Sequence, residues 1–218
     1  YMPTLASNVQ AVLAEEKVLF QNQEVAFVIA EDRYIASDAT ELVDVVYEAL
    51  PCIVDPFKSM LPDAPILRED IKDKMTGAHG PRKHPNHIFE WAIGDKDATD
   101  AIFANADVTI KEMLVDHRTH PSPLETCQSV ASFDKVKGEL TLWGTFQAPH
   151  VIRTVVSLIS GLPEHKIHVI APDIGGGFGN KVGAYAGYVC SVVGSIVLGV
   201  PVKWVEDRME NLSTTSFA

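Results

Sequence analysis

A cluster of four glycines is the feature of this sequence with the most direct chemical meaning. Residues 173–180 read Asp-Ile-Gly-Gly-Gly-Phe-Gly-Asn and lie between a run typical of a strand and an uncharged run typical of a helix. Glycine lets the backbone approach a ligand closely, and the N–H groups at a helix start can face an anion. The cluster therefore predicts either a phosphate or oxyanion site or a tight structural turn, and spacing alone favours neither.

The spacing of these glycines excludes the two common nucleotide-binding loops. With glycines at 175 and 177, a dinucleotide fingerprint would need a third glycine at position 180, which is Asn180. A P-loop is excluded because Lys181 lacks the required glycine spacing before it, and because Val182 replaces the Ser or Thr that would meet magnesium.

A side-chain amide provides the second candidate. Residues 145–150 read Thr-Phe-Gln-Ala-Pro-His, so Gln147 lies at the end of a predicted strand and just before a predicted helix. Strand ends are where α/β proteins place reactive groups. The residues alone nevertheless favour a structural role, in which Gln147 caps the helix or satisfies loop backbone.

Other reactive side chains predict no site and no metal ligand. His117, His120 and Cys127 flank a proline-rich turn and lack a matching fourth ligand, so solvated loop histidines are expected. Paired carboxylates need a pocket to act as acid and base, and no Ser, His and Asp set stands in a nucleophile-elbow context. The remaining pairs are interpreted as solvated: His84 with His87, Glu15 with Glu16, and Asp95 with Asp97.

Composition limits the function classes and the compartment. A formal net charge of -11 over 218 residues disfavours nucleic acid as a partner. The three cysteines are odd in number and far apart, which predicts no disulfide framework and a reducing, cytoplasmic compartment. The chain begins at Tyr1 without an initiator Met and ends after a polar run, and we interpret it as a fragment.

The pattern of apolar residues predicts a mixed α and β fold that positions these candidates. A loop at 61–85 indicates a domain boundary, and residues 126–145 form a predicted hairpin. The uncharged run 182–202 predicts a buried helix and not a membrane span, because glycines and serines dilute its hydrophobicity. Strands are predicted at 25–30, 45–50, 87–93, 108–115, 126–133, 139–145, 166–171 and 202–205, and further helices at 34–43, 98–104 and 150–159.

These segments together resemble a known family. Residues 171–181, preceded by 145–150, resemble the molybdopterin-binding part of the xanthine oxidase family. Residues 120–127, 138–144 and 202–218 are similar to the large subunits of its aerobic carbon monoxide dehydrogenases, which are molybdenum and copper enzymes. The resemblance covers essentially the whole chain. It implies an α/β (α+β) fold with a small α/β hammerhead domain.

The resemblance also implies domain boundaries and residue roles. The hammerhead would occupy residues 1–60, a linker 61–86, and part of the first molybdopterin-binding domain 87–218. Gln147 matches the family glutamine whose amide hydrogen-bonds an oxygen ligand of molybdenum. The loop residues Gly176, Gly177, Phe178 and Gly179 match the loop against the metal and the pterin dithiolene. Phe178 would border the substrate approach, which makes Gln147 and Phe178 the implied catalytic residues.

The implied cofactors are molybdenum-molybdopterin cytosine dinucleotide and copper, whose ligand is expected beyond Ala218. The implied partners are an iron-sulfur small subunit and an FAD medium subunit in a dimer of heterotrimers, with carbon monoxide as substrate. The expected location is the cytoplasm or the inner face of the cell membrane. Val182 stands where purine-oxidising relatives carry a glutamate, which argues against a xanthine-type substrate. The alternatives are a molybdenum hydroxylase for an aldehyde or heterocycle, and a noncatalytic module with the same fold.

Overall fold

The computed structural model describes residues 2–3, 9–72, 76–77, 80–88 and 90–214. The described residues within 9–49 and 118–218 form one compact unit, and those within 50–117 form a second. In chain order the elements are β1 (Met2–Pro3), β2 (Val9–Gln10), α1 (Arg33–Thr40), β3 (Thr76–Gly77), β4 (Gly80–Pro81), α2 (Lys96–Ala104), β5 (Gln128–Asp134), β6 (Glu139–Gly144), α3 (Pro149–Ser160), β7 (Ile167–Ile170), α4 (Ala186–Leu198), β8 (Val202–Val205) and α5 (Arg208–Thr214), with short 3-10 turns at Lys58–Met60, Glu69–Ile71 and Glu164–Lys166.

A four-stranded mixed sheet is the framework of the first unit. Its strand order is β7-β6-β5-β8, with β6 and β7 parallel and the other neighbours antiparallel. The β5–β6 hairpin turns because Asp134 Oδ1 accepts hydrogen bonds from the N–H groups of Val136, at 2.9 Å, and Lys137, at 3.1 Å. Gly138 then adopts a φ of 65°, which glycine tolerates without strain. These local bonds fix the hairpin register.

Helix α4 carries most of the burial against this sheet. Two buried serines set its position on β5: Ser191 Oγ lies 2.9 Å from Ser129 Oγ, and Ser195 Oγ accepts from the N–H of Phe133 at 3.0 Å.

No helix within the described part of the chain is long and apolar enough to cross a membrane. The core consists of Cys127, Ala131, Leu140, Leu142, Phe146, Ile152, Val156, Ile167, Tyr188 and Val192.

One glycine of α4 explains how closely the helix approaches β8. A Cβ on Gly187 would lie 2.2 Å from Cδ2 of Trp204, so only glycine lets the indole contact the helix backbone. The same indole packs edge-on against Tyr188 with ring centroids 5.4 Å apart. Gly187, one of the glycines that lower the hydrophobicity of this segment, is therefore a packing position.

The mixed α/β class is confirmed, and so are the predicted hairpin, the strands at β7 and β8, and the helices α1, α2 and α3. Local caps account for the helix starts: Asp32 Oδ1 accepts from the N–H groups of Tyr34 and Ile35, and Asp95 Oδ1 accepts from Ala98 N–H. Gly161 ends α3 in the left-handed conformation with a φ of 73°.

Four strand predictions are wrong. Residues 25–30, 45–50, 87–88, 90–93 and 108–115 are described without strand pairing. A strand exists only when a neighbour completes its hydrogen-bond ladder, and no described segment pairs with these runs. Several of their apolar side chains are solvent-exposed, including Val46 at 92% and Leu114 at 90%. Of the strand, helix and strand predicted between residues 25 and 50, only the helix, α1, is present.

Candidate cofactor site

The glycine cluster forms a tight loop between β7 and α4. Gly176, Phe178 and Gly179 have φ values of 95°, 52° and 85°, in the left-handed region. The turn is closed by hydrogen bonds from Asn180 N–H to Gly177 O, at 2.9 Å, and from Val182 N–H to Gly179 O, at 3.4 Å. A left-handed phenylalanine is uncommon and marks a strained position. The residue is 68% exposed, so burial of its side chain does not compensate for this strain.

The beginning of the loop is attached to Glu125. The N–H of Gly175 donates to Glu125 Oε2 at 2.7 Å, and the N–H of Glu125 donates back to Gly175 O at 3.2 Å. A Cβ on Gly175 would lie 2.6 Å from Cβ of Glu125, so a side chain there would displace the two backbones. An anion does accept a loop N–H, as the glycine pattern predicts, but this anion is the protein's own carboxylate.

The end of the loop is held by Lys181, whose side chain is fully buried. Its Nζ donates to Glu125 Oε2 at 2.9 Å. Partial burial of Glu125 acts to raise the pKa of its carboxyl, but hydrogen bonds from Gly175, Lys181 and Gln128 outweigh burial and keep this pKa below its ordinary value. Glu125 is therefore ionised at neutral pH and balances the ammonium of Lys181.

Gln147 follows β6 and precedes α3, and it is tied to Lys181 by two hydrogen bonds. Its backbone N–H donates to Lys181 O at 3.0 Å, and its side-chain Oε1 accepts from Lys181 N–H at 3.0 Å. Since a backbone N–H can only donate, this contact identifies the amide oxygen and leaves Nε2 on the other side of the amide. No described residue accepts a hydrogen bond from that N–H2 group, and Gln147 is exposed.

The predicted site residues are brought together by this loop. Gly177 lies directly against the amide of Gln147, and a Cβ on Gly176 would lie 3.0 Å from Cε2 of Phe178. Within the described chain, the N–H groups of Gly176, Gly177, Phe178 and Gly179 have no hydrogen-bond partner. The arrangement places the side-chain amide of Gln147 beside the loop 176–179, which contributes several backbone donors and one exposed aromatic residue.

Helix α4 does not begin where the sequence predicts. It starts at Ala186, and residues 182–185, predicted to be its first turn, are not helical. The first N–H groups of α4 are consequently separated from the glycine loop by six residues, 180–185. The expectation that helix-end amides adjoin the loop is wrong, and the loop's own N–H groups are the available donors.

A second buried polar cluster attaches the end of the loop to α5. Glu206 Oε2 accepts from Cys127 N–H and from Asn211 Nδ2, both at 2.8 Å. Asn211 Nδ2 also donates to Asn180 Oδ1 at 3.3 Å, and Arg208 Nη1 donates to Asn211 Oδ1 at 2.7 Å. Burial raises the pKa of the Glu206 carboxyl, and these hydrogen bonds only partly oppose that effect.

Glu125, Lys181 and Glu206 are functional candidates that sequence reasoning missed. Lys181 directly follows the glycine cluster, which is a usable signal, but the sequence gives no hint of its pairing with Glu125 across 56 residues. Tertiary structure alone brings these groups together.

Two of the three cysteines are partly or fully buried thiols. Burial raises the pKa of Cys127 to about 12 and that of Cys190 to about 11, so both remain protonated at neutral pH. Cys52 is exposed. Within the described residues, no three His, Cys, Asp or Glu side chains are grouped so that they could hold a metal ion.

Comparison with known proteins identifies the family. The molybdopterin cofactor-binding domain model matches residues 79–218, and the a/b hammerhead domain model of aldehyde oxidase and xanthine dehydrogenase matches residues 1–51. The carbon monoxide dehydrogenase large chain of Afipia carboxidovorans is 83% identical over 218 residues, which are 100% of this chain and 27% of that protein.

Two solved structures have the same fold and similar sequences. Reconstituted CO dehydrogenase from Oligotropha carboxidovorans matches with a TM-score of 0.94, and a Cu,Mo-CO dehydrogenase in the carbon monoxide reduced state matches with 0.91. Each is 82% identical and is matched over 100% of this chain and 27% of its own chain. The chain thus spans 27% of the length of these relatives. Because the cofactor-binding model covers more than half of its residues, the protein belongs to the molybdopterin cofactor-binding domain family.

Proposed function

We propose that this chain is part of the molybdenum-bearing large subunit of an aerobic carbon monoxide dehydrogenase. The reaction is the oxidation of carbon monoxide with water to carbon dioxide, which releases two protons and passes two electrons to an acceptor. The observation that carries this proposal is the 83% identity, over every residue of the chain, to a carbon monoxide dehydrogenase large chain. Identity at this level supports the same reaction in both proteins over a change of substrate class within the family.

The donors of the loop fit a molybdopterin-type cofactor. Such a cofactor carries anionic oxygen and sulfur groups and needs neutral donors that do not compete to coordinate the metal. The Nε2 of Gln147 and the N–H groups of residues 176–179 are neutral, and no described residue accepts from them. The proposed cofactors are molybdenum-molybdopterin cytosine dinucleotide and copper, with the copper ligand outside residues 1–218.

The proposed residue roles follow from these donors. When bound, the molybdenum and copper centre supplies the redox chemistry and takes up the two electrons. Gln147 donates from Nε2 toward oxygen as charge develops there, which is the class of interaction that stabilises a transition state most. Residues 176, 177 and 179 keep the backbone close to the cofactor, while the ring of Phe178 borders the approach of the small, apolar substrate. The protein therefore orients the cofactor and borders the substrate path, and it forms no covalent bond with the substrate itself.

The wider organisation of the protein is also proposed. The hammerhead domain occupies residues 1–60, the linker 61–86 and the first molybdopterin-binding domain 87–218. Electrons leave through an iron-sulfur small subunit to an FAD medium subunit, in a dimer of heterotrimers located in the cytoplasm or at the inner face of the cell membrane. The three cysteines of this chain are free and lack the spacing of iron-sulfur ligands, which supports the proposal that the iron-sulfur centres are bound by another subunit.

The proposal is tested on the complete large subunit purified with its partner subunits. Molybdenum and copper are quantified in the same preparation in which carbon-monoxide-dependent dye reduction is measured. Near-equal amounts of both metals together with turnover are the expected result. Molybdenum without copper, with activity on aldehydes or heterocycles only, would contradict it and assign the protein to the hydroxylases. Absence of both metals would leave only the family fold.

A further inference from the structure

The ion pair between Glu125 and Lys181 joins two distant parts of the chain at the candidate site. Lys181 is 0% exposed, and among the described residues the only partner of its Nζ is Glu125 Oε2 at 2.9 Å. A buried ammonium with one partner is strongly constrained, because moving it away leaves an uncompensated charge in a poorly solvated place. The side chain of Lys181 therefore fixes the position of its own backbone.

Glu125 is itself held from three directions. Its backbone N–H donates to Gly175 C=O, and its Oε2 accepts from Gly175 N–H and from Lys181 Nζ. Its Oε1 accepts from Gln128 Nε2 at 2.8 Å. Gln128 is the first residue of β5, in the middle of the four-stranded sheet. A continuous set of contacts thus leads from the sheet through Glu125 to Lys181.

The last contact in this set reaches the side chain of Gln147. An exposed glutamine normally samples several rotamers, and its terminal torsion is broad. Here the N–H of Lys181 holds Oε1 at 3.0 Å, while the C=O of Lys181 accepts from the backbone N–H of the same glutamine. The direction of the free Nε2 donor is therefore set by where the backbone of Lys181 lies.

We propose that Glu125 and Lys181 are positioning residues, and that the ion pair between the buried ammonium of Lys181 and the partly exposed carboxylate of Glu125 sets the direction of the Gln147 side-chain donor. This inference rests on the proposed role of Gln147 in turnover. Neither residue bonds to the cofactor or to substrate in this proposal; both act through the backbone of Lys181. Misplacement of a reacting group by about 1 Å can cost roughly 100-fold in rate, so a small shift of the amide has a large kinetic consequence.

The test uses Glu125→Gln in the complete enzyme with its partner subunits. The new amide can still accept from Gly175 N–H, but it leaves the ammonium of Lys181 without a counter-charge. We expect kcat for carbon monoxide to fall by roughly tenfold or more with little change in KM and in molybdenum content. Hydrogen exchange of the Lys181 N–H, followed in a peptide covering 176–183, should accelerate, because that N–H reports its bond to Gln147 directly.

The matched control is Glu139→Gln. It makes the same substitution in an exposed ion pair, where Lys166 Nζ lies 3.0 Å from Glu139 Oε1 at the far end of the strand that leads to Gln147. We expect kcat and the exchange of Lys181 N–H to remain at wild-type values. A loss of turnover equal to that of Glu125→Gln would overturn the inference.

A double variant separates positioning from general stability. Glu125→Gln combined with Lys181→Met removes both charges, so no unpaired ammonium is buried. The melting temperature of the double variant should therefore be higher than that of Glu125→Gln and close to that of the wild type. If the pair positions the amide, turnover stays low and exchange at residue 181 stays fast. Turnover that returns together with the melting temperature would show a merely structural role and overturn the proposal.

The outcomes also separate this inference from the proposed function. A wild-type complex without carbon monoxide turnover would refute the function, and the exchange experiment would still decide whether Glu125 holds the bond between residue 181 and Gln147. An active wild type with unchanged exchange and unchanged kcat in Glu125→Gln would refute the inference alone.

Discussion

Gly177 and Gln147 are in such close contact that the site has room for only one residue type at position 177. A Cβ built on Gly177 would lie 2.4 Å from Cδ of Gln147 and 2.7 Å from its Oε1. The clash falls on the amide that bonds Lys181, and the backbone of Gly177 is not in the left-handed region. The glycine is therefore required by the space next to the amide and not by its own φ angle.

The first prediction concerns Gly177→Ala. The added methyl should push the amide of Gln147 from its place and lower kcat by roughly 100-fold, while the protein remains folded because an exposed side chain can move. Activity and melting temperature of the complete enzyme are the measurements. Gly183→Ala is the control, since its nearest neighbour, Cζ of Tyr185, would lie 3.8 Å from the new Cβ. Full activity in Gly177→Ala would contradict the proposed role of the amide.

Two substitutions of Gln147 separate its two functions. Gln147→Glu keeps an oxygen that accepts from Lys181 N–H but removes the Nε2 donor, whereas Gln147→Ala removes both. We expect each variant to lose about 100-fold or more in turnover, because removal of a donor aimed at developing charge has that effect. Only Gln147→Ala should also accelerate hydrogen exchange at Lys181. Stability should change little, and unchanged turnover in either variant would refute the assignment.

Some of the fold could be predicted because its determinants are local. The β5–β6 hairpin depends on Asp134 and Gly138, which lie in the turn itself, and α3 depends on Gly161 at its end. The glycine loop is recognisable because five consecutive residues carry the signal. Such features need no knowledge of distant chain segments.

The incorrect strand predictions share one physical cause, which is dependence on partners far along the chain. The apolar runs 45–50 and 108–115 have the composition of strands, but a strand also needs a neighbouring ladder, which the sequence does not specify. The pairing of Glu125 with Lys181 is hidden in the same way, because composition shows both residues as ordinary surface charges. Lys181 is fully buried all the same.

A third prediction concerns the strained position of Phe178. Phe178→Gly removes the side chain of a residue that is 68% exposed and relieves a φ of 52°, so the free energy of unfolding should change by less than about 1 kcal/mol. Because the ring borders the proposed substrate path, KM for carbon monoxide should change even though the free energy of unfolding changes little. Chemical denaturation and steady-state kinetics measure the two effects.

A buried phenylalanine gives the comparison. Phe146 is 2% exposed and packs edge-on against Tyr188 at 4.9 Å between centroids. Phe146→Ala should cost about 3–5 kcal/mol, as buried aromatic truncations do. A similar loss in Phe178→Gly would show that the ring of Phe178 is packed in the intact protein and would contradict its placement beside an open path.

The last prediction concerns the pH dependence that Glu24 imparts to stability. Burial raises the pKa of its carboxyl above the ordinary value of 4.5, and the nearby Glu206 adds to the increase. A carboxyl whose pKa is higher in the folded state stabilises the fold below pH 4.5, and this contribution is lost as pH rises through the folded value. Glu24→Gln, which mimics the protonated form, should have the melting temperature of the wild type near pH 4 and a higher one at pH 8.

Glu31→Gln removes one charge from an exposed side chain and is the matched control. A Glu24→Gln variant less stable than the wild type at pH 8 would show that the carboxylate is compensated in the intact protein and that burial does not dominate its pKa.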